Sequence, residues 1–515
     1  MKLLFYIFAS LQIVSAHKIA IFVPDVSNSQ VIFNQRVAAT LASDNHDVTM
    51  IFLHTIEGRN GTNLIRPEDN VKTYSVNIPV FSLQDMADAQ QNSIFEESEV
   101  YEKKTTSLFS KKIDSLIRTA EETVQQKEFI EWLKNEKFDL AFVHMFSLAN
   151  MGLVHLAKIP SWIWLSSGST TDFTAHLLGA PMIPSYVPTM MMECTGEMTF
   201  IERTKSFIGH GLMQYFWPKW IADEETRIFR QYIDPNFPSL LDIARQTPLA
   251  MSNTNDLYEL ARPTLAKIIN IGGIGMQKRD AKPLPEDIAK IVAKSNGTIL
   301  FSFGSVTAAD VMPLRWKKEL LEAFSRFPNV QFLMRYPADD LNEMLPKNVH
   351  VRKWLPQADL LVNEKLKAFI THAGYNSIQE VMTAGAPVIS IPLFGDQPKN
   401  ARLAEKHGLG ITIKKSELSA DVVENAIRTI IEDDRYKESA QKMSKMLEKQ
   451  PIKPDQLLKS WTRFAAEFKD LSNLTPAGQK LNLIQYHSLD VIAFLSSILG
   501  VSLTDCGIAN ANGQL

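Results

Sequence analysis

The stretch Trp354–Gln397 constrains the fold of this chain most strongly, because it alternates apolar strands with polar strand ends. A helical run is predicted over Ala358–Leu366, and a short apolar strand follows over Ala368–Thr371. A helix is predicted to begin near Asn376-Ser377, before a second apolar strand at Pro387–Pro392. In open α/β sheets, ligands bind beyond the carboxyl ends of the strands. This βαβ unit therefore predicts a binding site at those ends.

Polar residues and glycines follow two of the predicted strands. A helix N-terminus beside a glycine offers free backbone N–H groups and the positive end of the helix dipole. The residues after Ala368–Thr371 fit such a phosphate cradle: His372, Gly374, Asn376 and Ser377. Phe303-Gly304-Ser305 stands at the end of another predicted strand, Thr298–Phe303, and is a second phosphate-side candidate.

The N-terminal half predicts a second parallel-sheet unit. Strand Lys18–Val23, helix Ser29–Ala42 and strand Asp47–Leu53 form a βαβ pattern, so the chain is α/β. The turn after the first strand lacks G-x-G-x-x-G, so a dinucleotide fingerprint is absent there. With 515 residues, two or three domains are expected. The change of character around Leu249–Pro285 indicates a linker between two of them.

The first 16 residues, MKLLFYIFASLQIVSA, have the pattern of a secretory signal peptide that is cleaved before His17. Three glycosylation sequons, at Asn60, Asn296 and Asn473, fit that route. We therefore expect the endoplasmic reticulum lumen or membrane, or a secreted form. With only Cys194 and Cys506, a disulfide scaffold is excluded. A net charge of −3 gives no reason to expect a nucleic-acid partner.

The C-terminal part contains an apolar run, Val491–Leu503, that is shorter than the roughly 20 residues of a membrane-spanning helix. A buried or interfacial segment is the better physical interpretation. The sequence has no Walker A motif, no G-x-S-x-G, no cysteine–histidine zinc spacing and no Asp-x-Asp. A carboxylate site for a nucleotide-bound metal is therefore not expected.

The stretch Trp354–Gln397 resembles the nucleotide-sugar signature of the UDP-glycosyltransferases, and specifically the animal (invertebrate-type) UDP-glucuronosyltransferase family. Further matches fall in family order: IGGI, KPLP, FSFGS, WLPQ, FITHAGYNS, PLFGDQ and LIQYHSLDV. The resemblance covers nearly the whole mature chain and is strongest in its C-terminal half.

The resemblance implies the GT-B fold, in which two Rossmann-like domains with parallel sheets face each other across a cleft. It divides the chain into a signal peptide (1–16), an acceptor domain (17–275), a UDP-sugar domain (276–475) and a C-terminal segment with a shortened membrane anchor (476–515). The implied reaction inverts the anomeric centre in one displacement. It needs no metal and no cofactor besides the UDP-sugar donor substrate.

Residue roles follow from the resemblance where the motifs match. Trp354 would flank the uracil, with Gln357 beside it bonding the base or ribose, and Glu380 would hold the ribose hydroxyls. Asp396 and Gln397 would contact the sugar, and Arg335 resembles a family arginine near the donor. The diphosphate would be bound by the two strand-end groups, through His372, Gly374, Asn376, Ser377 and Ser305.

The proton-transfer residues depart from the family pattern. The family uses a histidine after the first strand as base, oriented by a carboxylate after a later strand. These positions read Gln30 and His144 here, and a glutamine cannot act as a base near pH 7. Three interpretations stay open: His144 is the base, another group or a water serves with an acceptor that needs little deprotonation, or the chain binds UDP-sugar without transferring it.

Two functions are therefore carried forward. The first is transfer of glucuronic acid or glucose from a UDP-sugar to a small lipophilic acceptor. The second is a catalytically impaired UDP-sugar-binding protein that serves as a partner or regulatory subunit of related transferases, in homo- or hetero-oligomers. Membrane association would occur through the C-terminal segment.

Overall fold

The computed structural model describes residues 16–82, 94–95, 103–144, 147–276, 282–304, 307 and 309–499. Two sheets form within these residues, and the neighbouring strands in each sheet are parallel. Helices connect the strands, as parallel pairing requires. The predicted α/β class with two parallel sheets is confirmed.

The N-terminal sheet has the strand order β3-β2-β1-β4-β5-β6-β7 in the described chain. Its inner strand β1 is buried from Ile19 to Val23, as expected of a strand covered by helices on both faces. The strands are β1 Lys18–Pro24, β2 Asp47–Ile56, β3 Lys72–Phe81, β4 Leu140–His144, β5 Trp162–Ser166, β6 Leu249–Ser252 and β7 Ile268–Asn270.

The C-terminal sheet has the order β10-β9-β8-β11-β12-β13 in the described residues. Its two central strands, β8 and β11, pair in register from Ala368↔Ile299 to Thr371↔Ser302, so they end side by side. The strands are β8 Gly297–Ser302, β9 Val330–Arg335, β10 Val349–Arg352, β11 Leu366–Thr371, β12 Val388–Ser390 and β13 Gly410–Thr412.

Helices cover both sheets. Those of the N-terminal half are α1 Asn28–Ala42, α2 Lys103–Val124, α3 Lys127–Glu136, α4 Ala149–Leu156, α5 Asp172–Leu178, α6 Phe200–Trp217, α7 Asp223–Tyr232 and α8 Leu240–Arg245. Those that follow are α9 Glu286–Ala293, α10 Leu314–Ser325, α11 Gln357–Leu361, α12 Tyr375–Ala384, α13 Gln397–Lys406, α14 Ala420–Glu432, α15 Asp434–Glu448, α16 Pro454–Phe468, α17 Leu483–Tyr486 and α18, residues 489–499.

The predicted helix Ala358–Leu366 is wrong in its second half. Helix α11 ends at Leu361, and the side chain of Asn363 accepts a hydrogen bond from the backbone N–H of Lys365, which closes a turn. Asparagine competes with helical bonding in this way. Leu366 then begins β11 and pairs with Thr298, so its apolar side chain is buried in the sheet.

The C-terminal helix α16 returns to the N-terminal sheet. Leu458, Ala465 and Ala466 are buried in the same core as β1 and α1. The Arg463 guanidinium lies 3.1 Å from the Asp44 carboxylate on that side. The last helix of the predicted 276–475 domain therefore completes the core of the first domain, and the chain connects the two halves twice.

Candidate active site

The turn after β11 is built around the His372 imidazole. A Cβ atom placed on Gly304 or on Gly374 would lie 2.7 Å from this ring, so glycines are needed in both turns that surround it. Ala373 between them adopts a left-handed φ of 61°, which is strained for a residue with a side chain. Burial lowers the pKa of His372 to about 4, so the ring is neutral at physiological pH. The predicted phosphate cradle therefore has a rigid, uncharged centre.

Helix α12 begins directly after this turn, with Gly374 at its N-cap and no side chain capping it. Asn376 in its first turn bonds across the cleft, because its Nδ2 donates to the Ser29 carbonyl (3.1 Å) and its Oδ1 accepts from Asn253 Nδ2 (2.8 Å). Ser377 is buried, with its Oγ 3.5 Å from Gln357 Nε2. The predicted diphosphate residues thus converge where the two domains meet. Ser305 lies outside the described residues.

The predicted base-binding side is formed by the ends of β9 and β10. Trp354 has 63 % of its surface exposed, which is unusual for a residue of its size. The Arg335 guanidinium lies 5.2 Å from the centre of its ring, and Arg335 also bonds the Gly304 carbonyl. Burial lowers the pKa of Arg335. An exposed indole at a strand end is free to stack on a flat ring.

Glu380 connects the two domains on the predicted ribose side. Its Oε2 accepts a hydrogen bond from Gln357 Nε2 at 2.7 Å, and its Oε1 lies 3.4 Å from the Arg36 guanidinium of the N-terminal domain. The structure therefore brings Gln357 and Glu380 together.

The loop after β12 contains Asp396 and Gln397. Gln397 is buried, and its Oε1 accepts the backbone N–H groups of Leu393 and Phe394 at 2.8 and 3.1 Å, so this oxygen holds the loop in shape. Asp396 accepts a bond from Asn400 at 2.9 Å, and burial raises its pKa. A Cβ on Gly168 of the N-terminal domain would lie 3.7 Å from its Oδ2.

Gln30 in the first turn of α1 and His144 at the end of β4 face this region from the N-terminal domain. Gln30 Nε2 donates to Ser167 Oγ at 2.6 Å, next to Gly168. His144 Nε2 lies 2.9 Å from Asn34 Oδ1, and Asn34 Nδ2 donates to the Gln30 carbonyl at 2.8 Å. Burial lowers the pKa of His144 to about 3, which makes it a weak base near neutral pH.

Sequence reasoning missed the residues that the facing domain contributes: Ser29, Arg36, Ser167 and Asn253. Asn253 bonds both Asn376 and the Ser167 carbonyl. Asn253 could have been found from the sequence, because the polar run Ser-Asn-Thr-Asn stands at the end of the apolar strand β6. Polar residues at a strand end indicate a binding site, which is how His372 was identified. Arg36 gave no signal, since an arginine on a predicted helix is usually solvent-exposed.

Two parallel-sheet Rossmann-like domains whose strand ends face each other define an α/β fold of the GT-B type. A crystal structure described as the glycotransferase of kitacinnamycin has this fold, with a TM-score of 0.58 and 15 % identity over 90 % of this chain and 100 % of that one. The model of the UDP-glucoronosyl and UDP-glucosyl transferase family matches residues 20–507, so the chain belongs to that family.

Two relatives agree with this assignment. Mouse UDP-glucuronosyltransferase 1A7 is 33 % identical over 378 residues, covering 72 % of this chain and 69 % of its own length. The Caenorhabditis elegans protein named "Putative UDP-glucuronosyltransferase ugt-48" is 30 % identical over 501 residues, covering 95 % and 93 %. The predicted family and fold are confirmed.

Proposed function

We propose that this protein transfers glucuronic acid or glucose from a UDP-sugar to a small lipophilic acceptor, with inversion at the anomeric carbon. The observation that supports this most directly is the contact of Asn376 with Ser29 and of Glu380 with Arg36, two residues of the N-terminal domain. Donor groups from one domain thus meet the facing domain at the cleft. Family membership supports a UDP-sugar as the donor.

The proposed donor contacts follow the order of the strand ends. Trp354 and Gln357 would bind the uracil and Glu380 the ribose. Asp396 and Gln397 would bind the sugar. The diphosphate would lie on the α12 N-terminus, where Gly374 leaves backbone N–H groups uncapped. Negative charge grows on the departing UDP, so these fixed donors would stabilise the transition state as well as the bound substrate.

In the proposed reaction the acceptor atom attacks the anomeric carbon while the bond to the UDP oxygen breaks, and UDP leaves with the electron pair. No metal is invoked for this step. Among the described residues, no three His, Cys, Asp or Glu side chains come together as metal ligands. Fixed hydrogen-bond donors and the helix dipole would instead meet the charge on the leaving group.

Proton removal from the acceptor has no strong base among the two predicted residues. His144 has a pKa of about 3, and Gln30 Nε2 is bonded to Ser167. The sequence left open whether His144 is the base or whether the acceptor needs little deprotonation. These two observations favour the second interpretation, with an amine or an acidic hydroxyl as the acceptor. The same two observations favour the second candidate function, a UDP-sugar-binding partner or regulatory subunit of related transferases.

UDP release separates the two functions. The full chain is incubated with UDP-glucuronic acid or UDP-glucose and a panel of phenols, alcohols and amines, and UDP binding is measured in parallel by calorimetry. Transfer predicts UDP release with at least one acceptor. Tight UDP binding with no release on any acceptor would instead support the binding-partner function.

Two variants test the base. Gln30→His restores an imidazole at the family position and should raise turnover of weakly acidic alcohols at least about tenfold if the cleft is otherwise competent. His144→Ala should leave turnover of amines unchanged. A large loss for every acceptor would show that His144 takes part in proton transfer.

We also propose that the chain enters the secretory pathway and acts in the endoplasmic reticulum lumen, associated with its membrane through the C-terminal segment. Helix α18 supports this, because residues 489–499 are exposed although most are apolar. In the described part of the chain, no helix is both long and apolar enough to cross a membrane. Assembly with itself or related transferases is the accompanying proposal, to be tested by sedimentation.

A further inference from the structure

Helix α6 buries two polar side chains against the rest of the protein. Ser206 and His210 are buried, and both donate to the Val187 carbonyl, at 3.2 Å from Ser206 Oγ and 2.8 Å from His210 Nε2. Gly209 on the same side packs closely against Thr189. A surface helix in water normally buries its apolar stripe and exposes its polar one. The inward face of α6 is therefore partly polar, because Ser206 and His210 share it with the partly buried Met213 and Trp217.

The outward face of α6 is a stripe of large apolar side chains, which we call the α6 stripe. Its members are 46–75 % exposed and recur at helical spacing: Phe200, Ile201, Phe207, Ile208, Leu212 and Tyr215. Trp220, in the turn that continues the helix, is exposed as well. Contiguous apolar surface of this kind marks an interaction site.

A second exposed apolar element is attached to the same part of the fold. Residues 476–480 lie against the end of α5, where Gly179 faces Pro476 and the Gln479 amide bonds the carbonyls of Leu177 and Arg245. Helix α18 follows this attachment within ten residues. Helix α6 packs on α5 too, with the Trp217 ring 5.3 Å from that of Phe173. Both exposed apolar elements, α6 and α18, are therefore attached to the protein next to α5.

The shape of the α6 stripe and the long side chains beside it favour a lipid surface over a protein partner. Exposed basic side chains flank the α6 stripe, Arg203 and Lys205 at one end and Lys219 at the other, and the acidic Glu202 and Asp223 stand beside them. Long basic side chains beside apolar ones, with tyrosine and tryptophan near the end, suit the headgroup region of a bilayer. The stripe is the convex face of a single helix, and fluid lipid adapts to a convex surface without a complementary groove.

We propose that the α6 stripe inserts into the surface of a bilayer as a second contact beside α18, an inference that rests on the membrane association proposed above. The helix then lies in the membrane plane with its polar side on the protein. This arrangement gives the molecule a fixed orientation on the membrane, because two separated elements touch the surface.

Flotation of the full chain with phosphatidylcholine–phosphatidylserine vesicles tests the proposal. All flotation variants carry Phe494→Ser and Leu495→Ser, so that α18 does not mask the contribution of α6. Adding Phe207→Ser, Ile208→Ser and Leu212→Ser should reduce the bound fraction at least about tenfold, because this apolar area no longer enters the lipid. Adding the matched exposed changes Val422→Ser, Met446→Ser and Ile452→Ser should not. Equal flotation of the two sets would overturn the proposal.

A second measurement does not depend on how the serine variants fold. Lipids brominated near the headgroup should quench tryptophan fluorescence of the wild-type chain, and Trp220→Phe should remove much of that quenching. Quenching that Trp220→Phe leaves unchanged would overturn the proposal. So would a vesicle-free dimer, seen by sedimentation, that the α6 changes dissociate, because the stripe would then cover a second copy of the chain.

Discussion

Glu225 on α7 holds the loop that follows His144 and should make stability depend on pH. Its carboxyl group is buried and accepts hydrogen bonds from Ser147 Oγ (2.5 Å) and from the backbone N–H of Leu148 (2.9 Å). Burial, which outweighs these two bonds, raises its pKa from 4.5 to about 7. The folded state therefore prefers the protonated carboxyl more strongly than the unfolded state does.

The magnitude follows from linkage. At about 1.4 kcal/mol for each pKa unit, the difference between 4.5 and about 7 corresponds to about 3 kcal/mol. A raised folded-state pKa gives stability that is fully present below pH 4.5 and is lost as the pH rises through 7. The wild type should therefore lose about 3 kcal/mol between pH 4.5 and 8 through this group. The isosteric Glu225→Gln should not.

Urea unfolding of both proteins at pH 5, 6, 7 and 8 measures this directly. The free energies of unfolding should agree within about 1 kcal/mol at pH 5, and the Glu225→Gln variant should be more stable than the wild type at pH 8 by about 2–3 kcal/mol. Glu224→Gln, at the exposed neighbouring position, controls for removal of one negative charge. A difference between wild type and Glu225→Gln that stays constant across the range would show that this carboxyl does not titrate as its burial requires.

Three further predictions concern the cleft and the C-terminal attachment. Glu380→Gln should weaken UDP binding about 10- to 100-fold by calorimetry, because a hydrogen bond to a charged group contributes roughly 1.5–3 kcal/mol; unchanged affinity would contradict the ribose role. Gly304→Ala should displace His372 and reduce UDP affinity at least about fivefold, because the fixed hydrogen-bond donors would move. The control Gly58→Ala has a similar positive φ but no atom within 4 Å of the added Cβ, so it should leave UDP affinity unchanged. Lys267 bonds Thr475 and has its pKa lowered by burial from 10.5 to about 8, so the wild type should gain stability relative to Lys267→Met between pH 8 and 10.5 in urea unfolding; a parallel pH dependence would count against it.

The donor half of the site was predictable from the sequence because its information is local. Thr371 ends an apolar run, and His372, Gly374 and Asn376 follow within five residues, so strand, turn and helix start can be identified without tertiary contacts. The order of strand ends then places these groups together. The end of α11 was missed because a single turn at Asn363 ends the helix inside a run that has helical spacing.

The acceptor half was less predictable because its contacts join distant segments. Arg36 meets Glu380 and Ser29 meets Asn376 only after two complete sheets have packed together. The packing of α16 on the N-terminal core was also not predictable, because its apolar face does not show which of the two domains it packs against. The exposure of the α6 stripe was also hidden, because helical periodicity shows that a helix has two faces but not which one points inward.

The path of α16 has a consequence for synthesis on the ribosome. The N-terminal core lacks Leu458, Ala465 and Ala466 until helix α16 has left the exit tunnel, although its own strands emerge much earlier. Contacts between residues so far apart in sequence form slowly. The strands and connecting helices of the donor domain are consecutive in the chain, so this domain can fold before the N-terminal core is complete. We therefore expect the N-terminal domain, although it is synthesised first, to complete its folding after the donor domain.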